Sequence, residues 1–303
     1  MKRMLAMERK ARSSERDAEW IVDESTELLK YLYKMLSNRS RNSVKGILSR
    51  GQVIVNGTVS TQFNDSLQPG DRVQIHTRVA ANEVTMTGVN IIHEDDDLIV
   101  IEKEAGLLSI ASDDEKHMTA YRQLTDYVRS VHAKNRIFVV HRLDRDTSGV
   151  MIFAKNKEVQ QTLQNTWQES VPERAYIALV EGTVTKDGTV ISWLTENKTF
   201  MVYSSQREND GQKAITHYKV LESNRNFSLL QVNLETGRKN QIRVHMKDID
   251  HPVIGDKKYG SRNNSLGRLG LHAHAIAFTH PTSGEKMRFE SKVPAIFMRT
   301  FNK

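Results

Sequence analysis

The chain has no cysteine among its 303 residues. Disulfides and thiolate-held metal sites are therefore excluded. It also has no apolar run near the 18 or so residues that a membrane helix needs. Its first twenty residues, MKRMLAMERKARSSERDAEW, are charged throughout and lack the apolar core of a secretory signal. No glycine-rich phosphate loop, dinucleotide fingerprint or recognisable metal-ligand spacing occurs. The absence of a membrane helix, a secretory signal and cysteine predicts a cytoplasmic, soluble protein.

What is present is basic charge, unevenly spread. The net charge is +7. Residues 1–80 hold 14 Lys+Arg against 9 Asp+Glu, and the other 223 hold 30 against 28. A basic module beside a near-neutral one suits a polyanion-binding arm joined to another activity. The length suits one large and one small domain.

Residues 1–22 read as a polar, flexible lead. Leu28, Leu29, Leu32 and Leu36 then recur at helical spacing, with Asp23 or Ser25 as caps. RNSVKGILSRG gives a second short helix. Asn56-Gly57 between β-branched residues marks a hairpin, and LQPGDRVQIH adds a turn and a strand. Between Ser37 and Gly51, Arg39, Arg41, Lys45 and Arg50 have no acidic partner in sequence. Such a cluster on rigid backbone suits phosphates; a solvated helix face is the plainer alternative. Residues 81–90 read as a linker. The rest is rich in strands, with helical spacing at MTAYRQLTDYVRSVH and KEVQQTLQNTWQES and no regular βαβ alternation. That predicts an α+β domain over 91–303 with a mixed, mostly antiparallel sheet.

Three stretches of this second domain carry the chemistry. HRLDRDTSGV (141–150) holds Asp144 between Arg142 and Arg145 at the end of an apolar strand. Flanking guanidinium groups favour an ionised carboxylate, suited to a nucleophile or an electrostatic anchor and unsuited to a general acid. A salt-bridged turn with no chemistry fits the same residues. ETGRKNQIRVHM (235–246) alternates polar and apolar, which predicts a strand with Gln241, Arg243 and His245 on one face, suited to an anion or a carboxylate. ERAYIALVEG (173–182) offers Tyr176, whose ring suits a base, or the core.

Together these segments resemble the RluA-type pseudouridine synthases. VHRLDRDTSGVMIFAKN is similar to that family's catalytic motif, and TGRKNQIRVHM followed by GDKKYG to its third. LIVIEKEAGLL and LHAHAIAFTHPTSGE resemble its first and closing segments. Two positions depart from the pattern: Glu104 where a proline is usual and Asn240 where a histidine is common. Residues 23–80 resemble the alpha-L RNA-binding domain. The resemblance implies a pseudouridine synthase fold, Asp144 as nucleophile, Arg243 as its partner, and Tyr176 stacked on the uracil and taking its C5 proton. Arg142 would occupy the space left by a flipped base. His141, Arg145, Arg238 and Gln241 join the substrate-binding set, and Arg39, Arg41, Lys45 and Arg50 the RNA contacts. It further implies a structured ribosomal RNA substrate, no cofactor and a monomer. An idle RNA-binding assembly factor and a transfer RNA synthase are the alternatives. A carboxylate-pair hydrolase using Asp144 and Asp146 is opposed by the arginines, and a metal held by His272 and His274 fits no known spacing.

Overall fold

The computed structural model describes residues 18–37, 39–49, 51–75, 86–113, 115–208 and 210–301. The chain forms two compact units, one of residues 1–85 with 125–136 and one of residues 86–124 with 137–303.

In the first unit, β1 (Ala18–Ile21) lies within the stretch expected to be an irregular lead, and it pairs with β6. Alternating burial of Ala18 to Ile21 is what converts that polar segment into an edge strand. β2 (Thr26–Glu27) follows, then α1 (Leu28–Met35) and α2 (Arg41–Ser49). Neither Asp23 nor Ser25 caps α1; Glu27 occupies that position without a side-chain bond, because Thr26 and Glu27 are held in a short pairing with β5. The hairpin β3 (Val53–Val55) and β4 (Thr58–Ser60) turns at Asn56 and Gly57, with φ of 51° and 83°. Positive φ at both central residues gives the turn whose twist matches the strands. β5 (Ser66–Leu67) and β6 (Arg72–Ile75) complete the unit. Leu28, Leu32, Val44, Leu48, Val53 and Val73 form its core.

The second unit starts with β7 (Val89–Glu94) and β8 (Leu98–Lys103). After α3 (Ala120–Val131), whose residues from 125 onward are counted with the first unit, come β9 (Phe138–Val139), β10 (Ser148–Ala154), α4 (Lys157–Asn165), α5 (Trp167–Ser170), β11 (Glu173–Glu181), β12 (Gly188–Glu196), β13 (Val202–Ser205), β14 (Gln212–Ser223) and β15 (Phe227–Leu234). α6 (Gln241–Asp248), a 3-10 turn (Lys257–Tyr259), β16 (Leu271–Thr279), β17 (Lys286–Glu290) and α7 (Ala295–Met298) close it. The expected α+β class with a mixed sheet is what the chain adopts. One 11-stranded sheet runs β13-β12-β14-β15-β11-β16-β10-β8-β7, with β9 on β10 and β17 on β16. Its described pairings are antiparallel except β10 with β16.

That parallel crossing sits beside the chemistry. Ser148 pairs with His272 and Gly149 with Ala273, directly after the 141–147 loop. Gly149 has φ of 117°, and a Cβ there would lie 2.1 Å from the carbonyl oxygen of Ala273. Backbone cannot be pushed aside as a flexible side chain can, so this position needs glycine. Gly149→Ala is expected to cost at least about 3 kcal/mol, from overpacking added to left-handed strain. Chemical denaturation would measure it, and a loss under about 1 kcal/mol contradicts the packing described.

Candidate active site

The loop from His141 to Thr147 is fixed mainly through its backbone. Ser109 Oγ donates to the carbonyl of Leu143 at 2.7 Å and accepts from the Leu143 N–H at 3.1 Å. Thr147 N–H donates to the Asp144 carbonyl at 3.2 Å. The Arg145 carbonyl accepts from Gly106 N–H at 3.0 Å and from the Lys103 ammonium at 3.0 Å. Lys103 is fully buried, and it also donates to the carbonyls of Glu104 and Leu107. Burial pushes its pKa down to about 8. Three carbonyl dipoles solvate the cation in place of water. Glu104, the unexpected residue in that neighbouring loop, donates its N–H to the Gly88 carbonyl at 2.9 Å. A proline has no such hydrogen to give.

On this frame Asp144 faces Arg243, whose Nη1 donates to Asp144 Oδ2 at 3.2 Å. Asp144 Oδ1 has no hydrogen bond among the described residues. Asp256 holds the other edge of the guanidinium, accepting from Nε at 2.6 Å and Nη2 at 2.8 Å. The Asp256 side chain is fully buried, and it accepts from the Tyr259 N–H at the start of the 3-10 turn. Asn240 Oδ1 accepts from Nη1 of Arg243 at 3.2 Å, while its Nδ2 donates to the Tyr259 hydroxyl. The guanidinium lies 5.0 Å from the Tyr259 ring centre. The hydrogen bonds and charges of Asp256 and Asp144 raise the Arg243 pKa despite the opposing effect of burial.

Arg243 is the partner that the family resemblance implied for Asp144. Arg142 and Arg145 were expected to flank and charge Asp144; both are exposed, and Arg145 Nε donates to the Gly106 carbonyl. Among the described residues, the guanidinium paired with Asp144 is that of Arg243. Arg142 lines the same cleft as Asp144 without pairing with it among the described residues.

The 241–248 segment is the helix α6, not a strand. Gln241, Arg243 and His245 therefore do not share a face. Gln241 and His245 lie one turn apart and point into the sheet. Gln241 accepts from Thr236 Oγ1 and Arg238 N–H, and donates to the Ile215 carbonyl and Thr216 Oγ1. Its amide shapes the 236–238 turn. His245 bridges Ser192 and Thr216 and is fully buried. Asn240, just before the helix, has φ of 55°, a left-handed residue that sets the entry angle of α6.

A cleft of about 390 Å³, its open mouth included, is lined by Arg142, Asp144, Tyr176, Arg238, Asn240, Gln241 and Arg243, among others. Tyr176 enters it from β11, and burial pushes its hydroxyl pKa up to about 12. His141 does not line this cleft. Its Nε2 accepts from the Ile152 N–H at 3.0 Å and its ring packs 5.0 Å from Trp167. Burial lowers its pKa to about 4. His272 and His274, weighed as metal ligands, are engaged otherwise. His272 bonds Ser148 and Ser291, and His274 bonds the Ser291 carbonyl and Glu290. Asp256, Asn240, Tyr259 and Lys103 were not singled out for a role from sequence, although GDKKYG, which contains two of them, was.

Buried His245 and His272 are both held near pKa 4, first by desolvation of the charged form. Their ordinary value is 6.5. The folded state therefore binds fewer protons than the unfolded chain between those values. Stability is full above pH 6.5 and falls toward pH 4, each histidine contributing up to about 1.4 kcal/mol per pH unit. Urea titrations across this range should show that slope, partly removed in His245→Asn; a flat profile contradicts it.

Residues 97–248 match the family model described as RNA pseudouridylate synthase. An RNA pseudouridine synthase of Bacillus subtilis designated YlyB is 34% identical over 273 residues, covering 88% of this chain and 89% of that one. The ribosomal large subunit pseudouridine synthase D of Neisseria meningitidis serogroup B is 32% identical, covering 87% and 74%. The solved structure of human RNA pseudouridylate synthase domain containing 4 aligns with a TM-score of 0.57 at 25% identity, covering 70% of this chain and 92% of that one. The fold, the motifs and these likenesses agree: the chain belongs to the RNA pseudouridylate synthase family.

Proposed function

We propose that this chain converts uridine to pseudouridine in large-subunit ribosomal RNA, with Asp144 as the nucleophile. The observation that carries the reading is Asp144 ion-paired at 3.2 Å with Arg243 in a cleft that Tyr176 also lines. The reaction breaks the N1–C1′ bond, turns the uracil and joins C5 to C1′. N1 gains a proton and the C5 proton is released, so no oxidant, reductant or energy donor is needed. Arg243 holds Asp144 in place through Oδ2 while Oδ1 remains available. Tyr176 stacks on the base. With a pKa near 12 its hydroxyl is neutral at physiological pH, so taking the C5 proton requires passing its own proton on in the same step.

The sugar–base bond is inaccessible inside a stacked helix, so the uridine has to be extruded. Exposed Arg142, at the cleft, is suited to the vacated space, and Arg238 to the backbone. Arg145 stands outside that lining. We assign residues 23–80 to an alpha-L RNA-binding domain and 91–303 to the synthase domain. Arg39, Arg41 and Lys45 are exposed, and Arg41 also lies 5.7 Å from the Tyr33 ring centre. Arg41 and Lys45 share one face of α2 and are suited to phosphates of structured RNA. Arg50 lies outside the described residues. The name of the Neisseria relative supports ribosomal over transfer RNA. A monomer working in the cytoplasm completes the reading.

A tritium-release assay on ribosomal RNA carrying 5-tritiated uridine tests it. Asp144→Asn should fall below about 1% of wild-type turnover, and Tyr176→Phe should lose about 100-fold or more, with RNA affinity kept in both. Turnover retained by Asp144→Asn, or no release by the wild type, would refute the assignment.

A further inference from the structure

The loop between β12 and β13 carries a feature that the fold alone does not account for. Phe200, at its tip, is 68% exposed, so its ring contributes little to the core. Its φ is 58°. A bulky residue in the left-handed region is an outlier that costs on the order of 1–3 kcal/mol. The loop is built to hold it there. Asn197 Oδ1 accepts from Thr199 N–H, Thr199 Oγ1 and Met201 N–H, and the Phe200 N–H donates to the Asn197 carbonyl. From the site side, Lys258 donates to the Phe200 carbonyl at 2.7 Å. Lys258 adjoins Tyr259, whose ring lies against Arg243.

One cation lies over this ring and a second holds its backbone carbonyl. Lys239 Nζ sits 5.0 Å from its centre and is also paired with Glu196. Arg238, the residue before Lys239, lines both the Asp144 cleft and a second groove that contains Lys239, Glu196, Asp210 and Val202. A path of basic side chains therefore leads from the cleft to an exposed aromatic face. Aromatic faces beside backbone-tracking cations are how single-stranded nucleic acid is held without sequence readout.

We propose that Phe200 is a stacking platform for a base of the RNA strand next to the extruded uridine, with Lys239 and Lys258 as its cationic flank. This rests on the synthase reading above. It assigns Phe200 to substrate binding and not to the chemical step.

The test uses the full-length chain and an unmodified transcript of large-subunit ribosomal RNA, with Phe200→Ala, Phe200→Leu and Phe200→Trp compared in anisotropy titrations and in steady-state turnover. Phe200→Ala and Phe200→Leu should raise Kd and KM roughly 5- to 150-fold, the range of one stacked base, with kcat within about threefold. Phe200→Trp should restore wild-type affinity, since it keeps the π-face. Leucine preserves apolar surface without that face, so wild-type affinity in Phe200→Leu overturns the proposal. Unchanged affinity in a folded Phe200→Ala overturns it as well. An altered molecular mass in that variant with unchanged RNA affinity would instead make the ring a protein contact, and also overturns it. Wild type that binds the transcript but isomerises no uridine fails the synthase reading itself, and the present inference with it.

Discussion

The site depends on one guanidinium shared by two carboxylates. Arg243 gives two hydrogen bonds to Asp256 and one to Asp144. The inequality is what matters. The bidentate contacts, at 2.6 and 2.8 Å to a fully buried carboxylate, fix the plane of the guanidinium. The single contact at 3.2 Å holds Asp144 without consuming both of its oxygens. Removing charges from water is costly, and a buried pair holds only when its geometry and remaining hydrogen bonds are satisfied. Asn240 and the Tyr259 N–H satisfy them here. Asp256 is thus the anchor, Arg243 the arm and Asp144 the group presented.

The surrounding scaffold removes freedom from those three groups. Lys103 and Ser109 fix the carbonyls that flank Asp144, and Gly149 lets β10 pass close to β16 immediately after the loop. His245 and His272, with pKa values pushed down by burial, are uncharged at neutral pH and serve as hydrogen-bond bridges between elements. His245 ties α6 to β12 and β14, and His272 ties β16 to Ser148.

Much of the fold was legible because its signals are local. The Asn56-Gly57 hairpin, the helical stripe of α1 and the α+β class follow from turn chemistry and periodicity. QIRVHM misled because five alternating residues suit a strand, yet α6 buries Gln241, Ile242, Val244, His245 and Met246 on more than one side. A short helix buried almost all round has no apolar stripe to read. At the site, Asp144, Tyr176 and Arg243 stood out through motif resemblance. Asp256 did not, and Asn240 did so only as a departure from the family pattern, because their roles arise only when the turn of α6 brings residues 13 and 3 positions away against the same guanidinium. The flanking Arg142 and Arg145 show the converse: among the described residues their adjacency in sequence did not become an ion pair with Asp144, whereas Arg243, implied by the motif resemblance, did.

The most direct test of this arrangement is the rate of tritium release by Asp256→Asn, measured beside its RNA affinity and its unfolding transition. Asparagine keeps the size of the anchor and removes its charge. If Asp256 aims Arg243, and Arg243 aims Asp144, release should fall about 100-fold while the protein stays folded and binds RNA as before, since displacements near 1 Å cost on that order. Wild-type release from a folded Asp256→Asn would contradict the account.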